Sequence, residues 1–227
     1  MFEVIFEVHP RPEKFDVYLS TAKGLKPILE SQRGFIENIR YKSLTRVGWI
    51  LSLSDWEDEK ALVRWRTQMG HHRAQERGRD EILADYHLRV GEVTADASDA
   101  GVAHDLQQQR LDQTETGEAK VISLVNLSLI PLESGEGDAA RDASEVLKAL
   151  AFDPSKSTGL VSWDAFEAIL FPGQVLLLCS WTDQMSAEEF GRQISSATRT
   201  RTVRVIRDYG MFDRVEAPQY YPEVKAK

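Results

Sequence analysis

Apolar and polar residues alternate over the first few positions of the chain. Phe2, Val4, Phe6 and Val8 fall on one face, and Glu3, Ile5 and Glu7 on the other. A period of two marks a half-buried strand. The segment HPRPEKF breaks the alternation, and Pro12 suits the first turn of a helix. Through FDVYLSTAKGLKPILESQ the apolar positions Phe15, Tyr18, Leu19, Ala22, Leu25 and Leu29 recur at threes and fours, which predicts a helix that Pro27 should kink or end in its first part. Arg33-Gly34 closes it. Phe35 to Ser43 reads as a second strand, Thr45-Arg46-Val47-Gly48 as a turn and Trp49 to Trp56 as a third strand, so the last two form a hairpin. Asp58 can cap a second helix reaching about Asp80, and Ile82 to Val93 gives a closing strand. The order βαββαβ is the split ferredoxin-like motif.

The rest of the chain follows the same plan. The hairpin segments GFIENIRYKSLTRVGWILSLSDW and GLVSWDAFEAILFPGQVLLLCSW align without a gap, Gly34 on Gly159 and Trp56 on Trp181. An acidic helix start follows each tryptophan, and an Asp-Tyr pair, Asp85-Tyr86 and then Asp208-Tyr209, is expected to open each last strand. A strand over Val121 to Ile130 and a short helix near Ala139 to Leu150 complete the second set. The expected class is α+β, with two ferredoxin-like modules arising by tandem duplication. The first occupies 1–95 and the second, degenerate one 119–216, with a polar linker over 96–118 and a tail over 217–227.

Composition narrows the function. The chain has 227 residues, 42% of them hydrophobic, enough to bury one or two cores. A formal charge of −8 with pI near 5.2 argues against nucleic acid, which draws its affinity from Lys and Arg on phosphates. The single cysteine, Cys179, sits in the apolar run VLLLCSW, which excludes an intrachain disulfide and a thiolate cluster and predicts an inert core thiol. No window approaches the ~18 apolar residues of a membrane span. The N-terminus has acidic residues in its apolar stretch and reads as a strand rather than a secretory signal, so the expected compartment is the cytoplasm.

The segment LSLSDWEDEKALVRWRTQMGHHRAQERGRDEILADYHLRV carries a more specific signal. A strand ending in Trp56, the acidic Glu57-Asp58-Glu59, Trp65 and His71 six apart, Ala74-Gln75, Gly78-Arg79, then Asp85-Tyr86 with Arg89-Val90, resembles the antibiotic biosynthesis monooxygenase family. The preceding GFIENIRYKSLTRVG fits as well, and the match spans about residues 1 to 93. The second half matches in outline only, with Phe190 and Ser196 where the first has Trp65 and His71. The resemblance implies a dimeric α/β barrel, in which two four-stranded sheets pair edge to edge. A duplicated chain could close that barrel as a pseudo-dimer, or two chains as a homodimer. Such proteins include cofactor-independent monooxygenases of polyphenols and quinols, haem-degrading enzymes and members without known activity.

That resemblance makes Trp65 and His71 candidates for a wall and a base facing a planar substrate. On one continuous helix they would lie about 120° apart around the axis and about 9 Å apart along it, so both could reach a pocket only from a helix across its mouth. Tyr41 could donate to a developing oxyanion, with Trp49 and Trp56 stacking beside it. Arg40 points to the face opposite Tyr41 and should not act with it. His72 competes with His71, and a His-His pair on a helix cannot present both rings to one metal, so no metal is expected. Haem-degrading members use an Asn in the first strand; here only Asn126, in the first strand of the second module, could serve. Phosphate-loop, dinucleotide and serine-hydrolase motifs are absent. The expected activity is a cofactor-independent monooxygenation of a quinol- or anthrone-type aromatic by O₂ in the N-terminal module. His71, Trp65 and Tyr41 would be catalytic, and Trp49, Trp56, His72 and Asn126 would line the pocket. The alternatives are a hydrophobic-ligand or haem-binding or haem-degrading barrel, and a non-catalytic structural module.

Overall fold

The computed structural model describes residues 1–97, 117–131, 141–194 and 197–212. Nearly all of the expected linker, the whole expected tail and Ser196 lie outside the described residues. The first half runs β1 (Phe2–Pro10), α1 (Phe15–Glu30), β2 (Phe35–Ser43), β3 (Ile50–Trp56), α2 (Glu59–Thr67), α3 (Met69–Arg77) and β4 (Leu83–Asp96). The second runs β5 (Val121–Ser128), α4 (Ala143–Ala149), β6 (Leu160–Ala168), β7 (Gln174–Trp181), α5 (Gln184–Gln193) and β8 (Arg199–Gly210). All eight strands form one closed antiparallel barrel in the order β1-β3-β2-β6-β7-β5-β8-β4. The barrel closes within one chain at two seams, a short β2–β6 pairing around Tyr41↔Ala168 and a long β4–β8 pairing from His87↔Gly210 to Asp96↔Arg201. Closure leaves these strands, among the described residues, no free edge for another chain to extend.

Alternation sorts the side chains into two buried layers. Ile5, Leu53, Leu124, Phe166, Leu176 and Val203 fill the barrel interior. Val4, Leu88 and Val90 face outward beneath the helices. Alternation alone predicts β1 to be half buried, yet Glu3 and Glu7 are 0% and 4% exposed. They point into the barrel, where arginines from the last strand of each half meet them. Arg89 reaches Glu7 and, at 2.7 Å, Ser180; Arg201 reaches Glu3 at 2.7 Å, Asp55 at 2.9 Å and Asn126 at 3.3 Å. Burial still pushes the Glu3 carboxyl up to about 7, against the pull of Arg201.

Three local expectations are corrected. Helix α1 does not end at Pro27 but runs on to Glu30, which corrects the ending that was one of the two outcomes expected there. Pro27 and Lys23, whose carbonyl loses its amide partner, are both exposed residues, and only one turn remains beyond the proline. The single helix expected from Asp58 to Asp80 is two helices and a π-turn (Gly78–Ile82), broken at Gln68, whose ψ is 126°. Asp208-Tyr209 does not open β8 but lies at its far end, opposite Arg89 and Leu88. Residue Arg199, opposite Asn126, holds the starting position instead. The long β4–β8 seam causes this, because an antiparallel partner carries the end of β8 past β5 onto the start of β4.

Candidate functional site

Between the outer face of the first half's strands and helices α1–α3 lies a cavity of about 220 Å³. Its floor is Val4 and Phe6 of β1, Asn38 and Arg40 of β2, Ser52 and Ser54 of β3, and Tyr86, Leu88 and Val90 of β4. Its roof is Tyr18, Leu25 and Leu29 of α1, Leu62, Trp65 and Arg66 of α2, and His71, His72 and Gln75 of α3. Arg207 and Tyr209 come from β8, so the second half contributes to this cavity through the seam.

The break at Gln68 shapes the roof. Its side-chain carbonyl accepts from the His71 amide at 2.7 Å, capping α3, while Asp58 caps α2 by accepting from Ala61 N at 2.7 Å. Ending α2 at Thr67 frees the Trp65 carbonyl from the helical ladder. It accepts from the Gln68 amide at 3.1 Å and from His71 Nδ1 at 2.9 Å. The turn brings the His71 ring onto the Trp65 indole, centroids 4.1 Å apart and planes 11° from parallel. The two side chains that a continuous helix would separate thus form one stack.

This contact also sets the chemistry of His71. A carbonyl can only accept, so Nδ1 carries the hydrogen and Nε2 keeps its lone pair. Burial pushes the imidazole down to about 4, opposed by the Trp65 carbonyl and assisted by His72. The ordinary imidazole range near 6.5 therefore does not apply here, and His71 is a neutral acceptor at pH 7.

Charge in the cavity has one sign. Arg40, Arg66, Arg79 and Arg207 line it, and among the described residues no Asp or Glu does. Arg207 pairs with Glu59 at 2.7 Å. Arg40 hydrogen-bonds the Tyr18 hydroxyl, a phenol that burial raises above its usual range despite that arginine. The Arg40 Nε is buried without a hydrogen-bond partner. Asn38 donates to Ser52 Oγ at 3.0 Å and to the Leu53 carbonyl at 2.9 Å.

Of the residues singled out in the sequence, Trp65, His71 and His72 meet at this cavity. Trp56 is fully buried behind Trp65, ring centroids 6.4 Å apart, and supports the stack without lining the cavity. Tyr41 and Asn126 lie elsewhere. They line a second cavity of about 220 Å³ at one end of the barrel interior, with Asp55, Arg199 and Arg201. There, burial pushes the Tyr41 hydroxyl up to about 12. Trp49 lines neither cavity and stacks on His9 at the β2–β3 turn, with the Arg46 guanidinium 4.5 Å from its ring. Among the described residues no three His, Cys, Asp or Glu side chains converge as a metal-ligand set, and no helix is long and apolar enough to cross a membrane. Sequence reasoning missed Arg40, Tyr18, Arg207 and Tyr209. Strand alternation held the signal for Arg40, since it assigns Arg40 and Tyr41 to opposite faces, and the cavity lies on the face of Arg40.

An outer sheet face roofed by helices over a largely apolar cavity defines a barrel of ferredoxin-like α+β type with a candidate small-molecule site. The first 77 residues match the family model described as antibiotic biosynthesis monooxygenase. "Jasmonate monooxygenase ABM" of Pyricularia oryzae (strain 70-15 / ATCC MYA-4617 / FGSC 8958) is 49% identical over 227 residues, covering 98% of this chain and 99% of that protein. This chain belongs to the antibiotic biosynthesis monooxygenase family. An aldoxime dehydratase solved in complex with butyraldoxime shares the fold, with a TM-score of 0.55 and 11% identity over 92% of this chain and 81% of that chain.

Proposed function

We propose that the protein is an oxygenase acting on a compact, ring-bearing, mostly apolar organic molecule held beneath α1–α3, with jasmonate the first substrate to test. The observation that carries this reading is the Trp65–His71 stack in the cavity roof, with the neutral imidazole's Nε2 lone pair free of the Trp65 contact. The substrate assignment draws on the 49% identical relative's name. A volume of about 220 Å³ stands just below the roughly 300–1,000 Å³ of small-molecule sites, so it suits a small ligand.

In this reading the substrate's acidic C–H or O–H gives its proton to His71 Nε2. An isolated imidazolium there is costly, which is what burial expresses. A substrate anion forming beside it offsets that cost, so transfer is favoured only with substrate bound. The anion then reduces O₂. A methylene beside a carbonyl can become a ketone with release of one water, the substrate supplying all four electrons, and such a reaction runs without a cofactor. Hydroxylation of an unactivated carbon would instead need a separate two-electron donor. The haem alternative fits poorly, because Asn126 lines the other cavity, away from Trp65 and His71. Quinols and anthrones remain in the tested set because Phe6, Tyr18, Trp65 and Tyr86 give the cavity aromatic walls.

Oxygen uptake measured with jasmonate, quinols and anthrones, with and without haem or a reduced nicotinamide, tests the proposal. Uptake with stoichiometric oxygenated product supports it. Ligand binding without uptake under any condition replaces it with a ligand-holding barrel, a reading favoured by the weak basicity of His71.

We also infer that the chain is a fused duplication closing its own barrel. Supporting this, Gly34 and Gly48 have positive φ of 84° and 80°, and their aligned partners Gly159 and Gly173 have 73° and 84°. The interior arginines follow the same rule. Arg89 joins Glu7 of its own half to Ser180 of the other, and Arg201 joins Asn126 of its own half to Asp55 of the other.

A further inference from the structure

Among the described residues four arginines and no carboxylate line the α1–α3 cavity of a chain whose formal charge is −8. That local excess of positive charge runs against the composition of the molecule. Arg207 is neutralised by Glu59 at 2.7 Å. Arg40 is not: it stands in the floor on β2, and among the described residues no carboxylate lies within ion-pair distance of it. The Tyr18 hydroxyl from α1 holds its guanidinium, and Nε is buried with no acceptor. A buried donor without an acceptor is costly, and a cation that is half withdrawn from water attracts an entering anion more strongly than one in bulk solvent. Its neighbours on the floor, Asn38, Ser52 and Ser54, are neutral and offer no competing charge.

We propose that Arg40, steadied by Tyr18, recognises the carboxylate of a monocarboxylic acid whose apolar body lies against Val4, Leu25, Leu62 and Leu88. A guanidinium fork matches the two oxygens of a carboxylate. The floor then fixes the acid end while the Trp65–His71 stack covers the rest from the roof, so Arg40 sets which part of the ligand faces His71. The inference rests on the proposed function only in taking this cavity as the substrate site. It adds the charge requirement and the residue that imposes it.

Calorimetric binding of jasmonate and methyl jasmonate, and of 4-phenylbutanoate and its methyl ester, tests the proposal on wild type, Arg40→Gln and Arg40→Lys. Wild type should prefer each acid over its ester by roughly 10–100-fold, the range expected of a charge-assisted hydrogen bond. Arg40→Gln should abolish that preference, with acid binding weakened far more than ester binding, and Arg40→Lys should keep part of it, since lysine retains the charge without the fork. Equal wild-type binding of acids and esters overturns the proposal, as does an acid preference surviving Arg40→Gln. Should Arg40→Gln lack a cooperative melt, the wild-type comparison and Arg40→Lys decide. If jasmonate is not oxidised but acid preference follows Arg40, the oxygenase reading falls and the carboxylate site stands. If jasmonate is oxidised and Arg40→Gln keeps the preference, the reverse holds. Binding of no probe overturns both.

Discussion

The two helix–sheet interfaces start from similar parts and end differently. In the first half, the sixteen-residue α1 with α2 and α3 roofs the outer strand face and leaves a cavity. In the second, the seven-residue α4 and the residue that caps its C-terminus place Val146 and Leu150 directly on the strands. The aromatic stacks diverge in the same way. Trp56 leads to Trp65 and then to the His71 imidazole. Trp181 leads to Phe190, with centroids 5.1 Å apart, and then to Phe152, 4.8 Å further on. On the ungapped hairpin alignment Arg40 corresponds to Ala165, fully buried in the second half's core. One half spends its interface on packing and the other on an open, one-signed cavity. A cavity forfeits the dispersion contacts that close packing provides, so the filled half should contribute more stability per side chain and the open half the chemistry.

The largest expected effect breaks the filled side. Phe190→Ala should cost about 3–5 kcal/mol, the range for emptying a buried aromatic site, because Phe152, Trp181 and the core around Phe190 close on it. Trp65→Ala should cost less, since Trp65 is half buried beside existing space, but it should abolish ligand binding. Urea titration and calorimetry check the pair. A smaller stability loss for Phe190→Ala than for Trp65→Ala would sink the division of labour.

Next in size, His71→Ala should lower turnover on an authentic substrate by about 10²-fold or more if His71 accepts the proton. Ser196→Ala, at the position aligned with His71, should leave turnover near the wild-type value. Full activity in His71→Ala would move the base to His72 or to a pocket water.

The pH dependence follows from the same imidazole. Its folded value of about 4 lies below the unfolded 6.5, so the unfolded chain takes up the proton first as pH falls. The contribution to stability is fully present above about 6.5, declines below it and is lost as pH falls through about 4. At most this amounts to about 3 kcal/mol. Denaturant midpoints measured across that window should fall with pH in the wild type and fall less in His71→Phe. The acid limb of kcat/KM should likewise lie well below the ordinary histidine range. An acid limb near 6.5 would show that the active form of His71 is not the buried one.

How much of this could be read from the chain follows physical lines. Periodicity of two and of three-to-four located the four strands and the first helix of the first half, because burial of one face imposes it, whereas the second hairpin was placed by its alignment on the first and β8 was expected too late in the chain. The Trp65–His71 pairing was legible as a spacing but not as a contact, since the stack depends on one extended residue, Gln68, at a position no Gly or Pro marks. Arg40 was assigned its face by alternation, yet its importance depended on which face the helices roof. Arg207 and Tyr209 carried no local signal, because the β4–β8 register alone brings them to the first half's cavity. The same register misled the placement of Asp208-Tyr209, which resembles Asp85-Tyr86 in sequence but not in position.

The smallest predicted effect tests whether the break at Gln68 makes the difference between the halves. Gln68→Ala removes the side-chain acceptor of the His71 amide, a cap worth about 1 kcal/mol, and introduces a residue that favours an unbroken helix. The Asp183→Ala change in the second half removes the equivalent kind of cap, where Asp183 accepts from Ser186 N at 2.9 Å. Both should lower the melting temperature by about 2–4 °C. Only Gln68→Ala should also raise helicity by circular dichroism and lower turnover, because a continuous α2–α3 returns the Trp65 carbonyl to the helical ladder and swings His71 off the indole. If helicity rises while turnover holds, the stack is packing alone, and the chemical asymmetry between the two halves has to come from the arginine-lined floor.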